Sequence, residues 1–232
     1  MPTGRPGGDT FDVGGATHSG IKRMMRGIKP EEAGVDSEWD NGNGSLMRIL
    51  PVALYCAGLS PSEIIEHANR VSSLTHRHPR SQMACGLYCL MAASLMKGLS
   101  PLESYNKAIE NTLKYYCNTP YSKEQLHFNR LFSGSIGDLP EEKIQSGGYV
   151  IHTLEASIWC LLNSDTFAEA VLKAVNLGDD TDTTGIVTGG LAGIHYGVDA
   201  IPEEWINTIA RKDDIGRLFK GFVNSMKKNQ QR

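Results

Sequence analysis

The pattern Ser-Pro-x-Glu occurs twice, as Ser60-Pro61-Ser62-Glu63 and Ser100-Pro101-Leu102-Glu103. In each copy the serine can cap the N3 amide while the glutamate reaches back to the serine amide. Proline takes the first helical position, where its missing N–H costs nothing. Two helix starts follow, one running toward Leu74 and one reaching about Tyr116. Between them lies a segment from about Arg80 to Lys97 that is apolar over most of its circumference, which predicts a central buried helix. Its most apolar run, Met83 to Met96, falls short of the ~20 residues that span a bilayer.

The same helical period recurs elsewhere. Helices are expected over Ala16–Arg26, from Ser45 onward (Leu46, Ile49, Leu50, Ala53 and Leu54 on one face), and over Val150–Leu162. Ser164-Asp165-Thr166 caps a further one over Phe167–Val175. Others are predicted near Asp182–Tyr196, Glu203–Ala210 and Ile215–Met226. Pro51 should kink the second of these or mark its boundary. Met1–Val13 reads as an irregular lead-in, Glu31–Gly44 as turn-rich, and Asn118–Ser146 as polar with one short amphipathic piece near Glu124–Phe132. A polar tail covers 227–232. No segment of four or more residues alternates with period two, so the fold class is all-α. The capping pattern has no fixed period, which excludes a solenoid.

With 40% apolar and 21% charged residues, the 232-residue chain has the composition of a soluble globule. A net charge of −3 supplies no basic footprint for nucleic acid. The start is polar and lacks the apolar core of a signal peptide, so a cytoplasmic protein without membrane partners is expected. Cys56, Cys85, Cys89, Cys117 and Cys160 form no Cys-x-x-Cys pair and read as buried free thiols.

The chemistry concentrates in Gly178-Asp179-Asp180-Thr181-Asp182-Thr183-Thr184-Gly185. Three carboxylates and three hydroxyls within six residues suit a hard divalent cation. One or two acids are also at home against a helix N-terminus. Three together repel one another and fit that reading poorly. Asp180 and Asp182 can share an ion only if Asp180 stands outside the helix, as an N-cap, with Thr183 adding a neutral oxygen. Beyond them, Gly185, Gly189 and Gly193 form a stripe that predicts close helix–helix contact.

Asp40-Asn41-Gly42-Asn43-Gly44-Ser45 leads into a helix. It reads either as an anion pocket of exposed amides, with Arg48 nearby, or as an Asx turn with a cap. His76 and His78 sit in a polar connector between apolar helices, as surface or capping residues or as ligand contacts. Tyr149, after Gly147-Gly148, is either a mobile aromatic lid or a core tyrosine.

Four motifs occur in order: Asn43-Gly44-Ser45-Leu46-Met47-Arg48-Ile49-Leu50-Pro51-Val52-Ala53-Leu54, Leu74-Thr75-His76-Arg77-His78-Pro79, Ser146-Gly147-Gly148-Tyr149-Val150, and Val175-Asn176-Leu177-Gly178-Asp179-Asp180-Thr181-Asp182-Thr183-Thr184-Gly185. Together they resemble the ADP-ribosylglycohydrolase family, from about Phe11-Asp12-Val13-Gly14 to about Asp214. The resemblance implies one compact, orthogonal multi-helix domain holding two Mg²⁺ or Mn²⁺ ions. It also implies hydrolysis of the bond between ADP-ribose and a protein side chain or related conjugate. By position, Asp180, Asp182 and Thr183 correspond to metal ligands, and Asn43, Gly44 and Ser45 to the ADP-ribose cradle. His76, Gly148 and Tyr149 fall near the ligand, and Asp40 near the scissile bond.

One feature departs from the family. Its members carry an N-terminal Thr-Asp-Asp-Thr/Ser motif that supplies the remaining metal ligands, and no Thr-Asp-Asp occurs here. The resemblance therefore implies an N-terminally incomplete domain with half of the metal site. Such a chain is expected to be a hydrolase fragment, a half completed by a complementing N-terminal chain, or a catalytically inactive protein that binds ADP-ribose or a partner. An all-α chain with an Asp-rich cluster is also similar to Mg²⁺-dependent prenyl-diphosphate enzymes. Those require a second polar cluster on a facing helix, which the sequence lacks.

Overall fold

In the computed structural model, residues 13–229 are described, with side chains to residue 226. The lead-in before Val13 and residues 230–232 of the tail lie outside that range. The helices run α1 (Gly15–Met25), α2 (Pro30–Ala33), α3 (Leu50–Cys56), α4 (Pro61–Ser72), α5 (Pro79–Met96) and α6 (Pro101–Tyr115). They continue with α7 (Asn129–Phe132), α8 (Val150–Leu162), α9 (Phe167–Asn176), α10 (Thr181–Tyr196), α11 (Glu203–Thr208) and α12 (Lys212–Asn229). The described residues contain no strand, only isolated bridges pairing Val35 with His76 and Gly42 with Tyr149.

Both Ser-Pro-x-Glu motifs form the reciprocal cap, with Ser60 and Ser100 accepting from the Glu63 and Glu103 amides. The helix between them, α5, is buried along nearly all of its length. It packs against α3, α4, α6, α8 and α10, as an all-round apolar helix must. Tyr88 of α5 donates to the Val187 carbonyl of α10 at 3.1 Å. Its hydroxyl occupies the space that a Cβ on Gly190 would need.

The glycine stripe of α10 faces α9. A Cβ on Gly185 would lie 3.1 Å from Val175, one on Gly189 3.5 Å from Val171, and one on Gly193 3.8 Å from Phe167. The stripe is thus a packing feature, as its spacing predicts.

Several local expectations change. Pro51 marks a boundary: a 3₁₀ turn over Leu46–Arg48 precedes α3, with the proline in the first turn of α3. The segment read as turn-rich contains α2, started by Pro30. In the polar stretch 118–146 the short piece near Glu124–Phe132 is a 3₁₀ turn over Gln125–Phe128 running into α7, and further 3₁₀ turns flank it, because the apolar residues come too sparsely to sustain a longer helix. Cys56, Cys85, Cys89 and Cys160 are buried, but Cys117 is exposed just past the end of α6. No helix among the described residues is long and apolar enough to cross a membrane.

Candidate functional site

Three loops that are distant in sequence are laced together by backbone hydrogen bonds. Asn43 N–H donates to the Gly148 carbonyl and Val150 N–H to the Asn41 carbonyl, each at 3.0 Å. On the other side of the 146–149 loop, Asp180 N–H donates to the Ser146 carbonyl at 3.2 Å. The Ser146 hydroxyl bonds the Gly178 carbonyl at 3.0 Å. The loop before α8 therefore holds the Asn41–Gly44 loop and the start of α10 in one arrangement.

The turn into α10 passes through two left-handed residues, Gly178 at φ 85° and Asp179 at φ 53°. Glycine adopts this conformation freely and Asp tolerates it, which lets the chain reverse sharply after α9. Asp180 then takes the N-cap position, yet its carboxylate makes no capping hydrogen bond. Oδ2 instead accepts from Asn43 Nδ2 at 2.7 Å. The helix-cap reading describes the backbone of Asp180 but not its side chain.

These loops and the start of α1 enclose a cavity of about 660 Å³. Its wall includes Asp40, Asn43, Gly44, His76, Asp180, Asp182 and Thr183, all singled out from the sequence. Asp179 is not on it; its charge acts on His152 instead. Gly148 and Tyr149 line an adjoining cavity of about 440 Å³ together with Glu38, Asn41 and Arg80. Trp39 and Gly42 border both cavities.

Ser45 is the exception among the sequence candidates. Its side chain is buried, accepting from Ser72 Oγ at 3.1 Å and contacting Cys85 Sγ at 3.5 Å. It faces the interior rather than either cavity, because the turn after Gly44 directs Ser45 and Leu46 inward. Arg48, expected beside an anion, turns its guanidinium to Thr75 Oγ1. His78 is the N-cap of α5, accepting from Arg80 N–H at 3.3 Å.

The main cavity is acidic. Asp40, Asp180 and Asp182 reach its wall, and no Lys or Arg among the described residues does. Burial works against charge on Asp180, but hydrogen bonds from Asn43 and the Thr183 hydroxyl outweigh it and hold the carboxyl below its usual range. His76 is pushed down to about 4, first by burial and then by the Arg48 charge, with Asp40 opposing. It is held neutral.

The donor set of Asp180, Asp182 and Thr183 is all hard oxygen, which suits Mg²⁺ or Mn²⁺. The cavity's uncompensated negative charge also favours a cation. Asp180 and Asp182 lie side by side, but Asp40 does not join them in a tight group of three. Among the described residues, the one group of three His, Cys, Asp or Glu donors within 4.8 Å is Glu38, His78 and Glu124. There the Arg80 guanidinium already bonds Glu38 at 2.7 Å and Glu124 at 2.8 Å, and contacts His127 at 2.7 Å. The Arg80 guanidinium thus already fills that group as a tethered cation.

Sequence reasoning missed Trp39, Thr17 and Arg80. Only Arg80 left a signal, as a lone charge in the first turn of an otherwise apolar helix. Trp39 is 92% exposed and obeys no periodicity.

A profile of the ADP-ribosylglycohydrolase family matches residues 3–232. The chain belongs to the ADP-ribosylglycohydrolase family. Among its relatives, ADP-ribosylarginine hydrolase Tri1 of Pseudomonas putida (strain GB-1) is 31% identical over 91% of this chain and 53% of its own length. ADP-ribosyl-[dinitrogen reductase] glycohydrolase of Rhodospirillum rubrum is 32% identical over 87% of this chain and 61% of its own length. A solved ADP-ribosylglycohydrolase-related protein complex superimposes with TM-score 0.73 at 27% identity, over 88% of this chain and 66% of that one. The chain spans a little over half the length of the curated relatives it matches.

Proposed function

We propose that this chain forms one domain that carries ADP-ribosylglycohydrolase chemistry. It would release ADP-ribose from a protein side chain or a related ADP-ribosyl conjugate in the cytoplasm, dependent on Mg²⁺ or Mn²⁺. One observation carries the reading. Residues from three of the separate motifs, together with Asp40, line a single acidic cavity with no cationic side chain on its wall among the described residues.

Asp180, Asp182 and Thr183 would hold the metal. When bound, it supplies neutralisation of these carboxylates and orientation of the ribose hydroxyls and a water molecule. Asn43 holds the Asp180 carboxylate through its Oδ2. Asp40, half-buried on the same wall, is the carboxylate that would take a proton from the attacking water. Gly148 and Tyr149, in the adjoining cavity, would contact the rest of the nucleotide.

A second reading, binding of ADP-ribose without hydrolysis, rests on one observation: Asp40, Asp180 and Asp182 do not close into a compact three-donor group. The two readings separate in one experiment. ADP-ribosylarginine is incubated with the chain and Mn²⁺ or Mg²⁺, and free ADP-ribose is measured beside calorimetric binding of ADP-ribose. Metal-dependent release supports the hydrolase. Binding without release supports the second reading, and neither would sink both. Release that needs the N-terminal portion of the Rhodospirillum rubrum relative would assign a complementing chain.

A further inference from the structure

His76 Nδ1 lies 2.8 Å from Thr75 Oγ1. The same Oγ1 is bonded by Arg48 Nη2. A guanidinium only donates, so Thr75 Oγ1 accepts from Arg48. The threonine hydroxyl, 4% exposed, has one proton left to place and no other hydrogen-bond partner among the described residues. If Nδ1 carried a hydrogen, that hydroxyl proton would be buried without an acceptor, an arrangement folded proteins avoid. The proton therefore points to Nδ1, and the imidazole hydrogen resides on Nε2.

Nε2 is the atom that matters to the cavity. His76 is 3% exposed and lines the cavity wall, and Nε2 has no hydrogen-bond partner among the described residues. A Cβ on Gly44 would sit 3.3 Å from it, and one on Gly42 3.8 Å. The glycines at 42 and 44 thus put no side chain against this nitrogen. Arg48 is itself half-buried and within ion-pair range of no carboxylate among the described residues. Its charge polarises the threonine hydroxyl and disfavours a proton on Nδ1, consistent with the depressed basicity of His76.

We propose that Arg48 and Thr75 are positioning residues that lock His76 in its Nε2–H tautomer, presenting a neutral hydrogen-bond donor to an oxygen of the ADP-ribosyl ligand. The lock stands on the geometry alone; the identity of the acceptor rests on the function proposed above. The donor is uncharged, so it can hold a ribose or phosphoryl oxygen without adding a cation to a cavity whose acids serve a metal.

The test uses ¹⁵N-histidine-labelled protein and long-range ¹H–¹⁵N correlation at neutral pH, with calorimetric titration of ADP-ribose alongside. Wild type should show an unprotonated Nδ1 and a protonated Nε2 at His76. Thr75→Val should give a tautomer mixture and weaken ADP-ribose binding about tenfold, the weight of one buried hydrogen bond. Thr75→Ser should restore both, which a purely structural role for the threonine methyl would not allow. Arg48→Met should shift the tautomer in the same direction as Thr75→Val.

A wild-type His76 protonated on Nδ1 overturns the proposal, and so does a folded Thr75→Val with unchanged tautomer and affinity. An Nε2–H tautomer in a protein that binds no ADP-ribose supports the lock but overturns both the assigned acceptor and the functional reading, so the two failures are distinguishable. The wild-type spectrum decides the lock even if a variant fails to fold.

Discussion

Asn43 and Asp180, 137 positions apart, meet in a 2.7 Å hydrogen bond, and the same Asn43 amide also donates to Thr153 at 2.8 Å. One side chain thus ties the glycine loop to α8 and to the start of α10. Asn43→Ala removes both bonds and leaves the Thr153 hydroxyl with fewer partners. It should destabilise the fold by about 1–3 kcal/mol. It should also weaken Mn²⁺ binding, since Asp180 loses the donor that holds its carboxylate. Urea denaturation and a metal titration check the two effects. A variant with wild-type stability and metal affinity would show that the bond positions nothing.

Gly44→Ala tests the cradle around His76. The added Cβ would lie 2.9 Å from His76 Cε1, with Thr17 Oγ1 3.5 Å away on the other side. The imidazole is buried and bonded to Thr75, so it cannot swing aside freely. Overpacking of this kind costs about 1–3 kcal/mol. Thermal melting should register that loss, accompanied by a changed His76 resonance. A wild-type melting temperature would mean that the ring has more room than the contacts indicate.

Most helices were legible because their signals are local. Ser60 and Ser100 cap as written, and the all-round apolar Met83–Met96 run became the central α5. The glycine stripe foretold the α9–α10 contact but not its partner, because spacing shows that a backbone is approached without showing by what. The site was legible mainly as motifs. Asp40, Asn43, Gly44, His76, Asp180, Asp182 and Thr183 do share one cavity wall. Side-chain direction was not legible. Ser45 sits between wall residues in sequence and turns inward, and Asp179 differs from Asp180 only by a left-handed backbone that Gly178 introduces. Arg80 and Trp39 became site neighbours through tertiary packing that no local pattern records.

Arg80 should prove important to the second cavity. It is 4% exposed, bonded to Glu38 and Glu124, and its guanidinium lies 5.9 Å from the Tyr149 ring centroid. Arg80→Met leaves Glu124 largely buried with its main partner gone, at a cost of about 3 kcal/mol. Tyr149 should gain mobility at the same time. Denaturation midpoints together with Tyr149 fluorescence or side-chain NMR would detect both. An Arg80→Met protein as stable as wild type would mean that Glu124 finds water or His127 instead.

Asp182 gives the cleanest test of the metal. It is exposed, its Oδ1 accepts the neighbouring Thr183 amide at 2.9 Å, and its side chain also meets the Asp180 carboxyl. Asp182→Ala should therefore melt close to wild type in the absence of metal. Wild type should gain stability with added Mn²⁺, because an ion that binds only the folded state shifts the equilibrium by mass action. Asp182→Ala should lose that gain. An undiminished response to Mn²⁺ would remove Asp182 from the ligand set and place the ion elsewhere.

His76 makes stability depend on pH in a defined window. Its folded pKa, pushed down to about 4, lies below the ordinary value of 6.5. Between those values the unfolded chain binds a proton that the folded protein refuses, so stability falls as pH drops from about 6.5 toward 4. Above the window both states are neutral at this residue, and below it both are protonated, so the contribution is flat on either side. The full step amounts to about 3 kcal/mol at most. Burial pushes His78 in the same direction and adds to the slope. Asp180 acts in a different range: its depressed pKa stabilises the fold above the ordinary carboxylate value and is lost only on further acidification. Urea denaturation from pH 7 to pH 4 should show the decline, and His76→Gln should flatten it while leaving the more acidic loss intact. Equal slopes for wild type and His76→Gln would show that the imidazole is not held neutral, and with that the uncharged donor assigned to the cavity would fall.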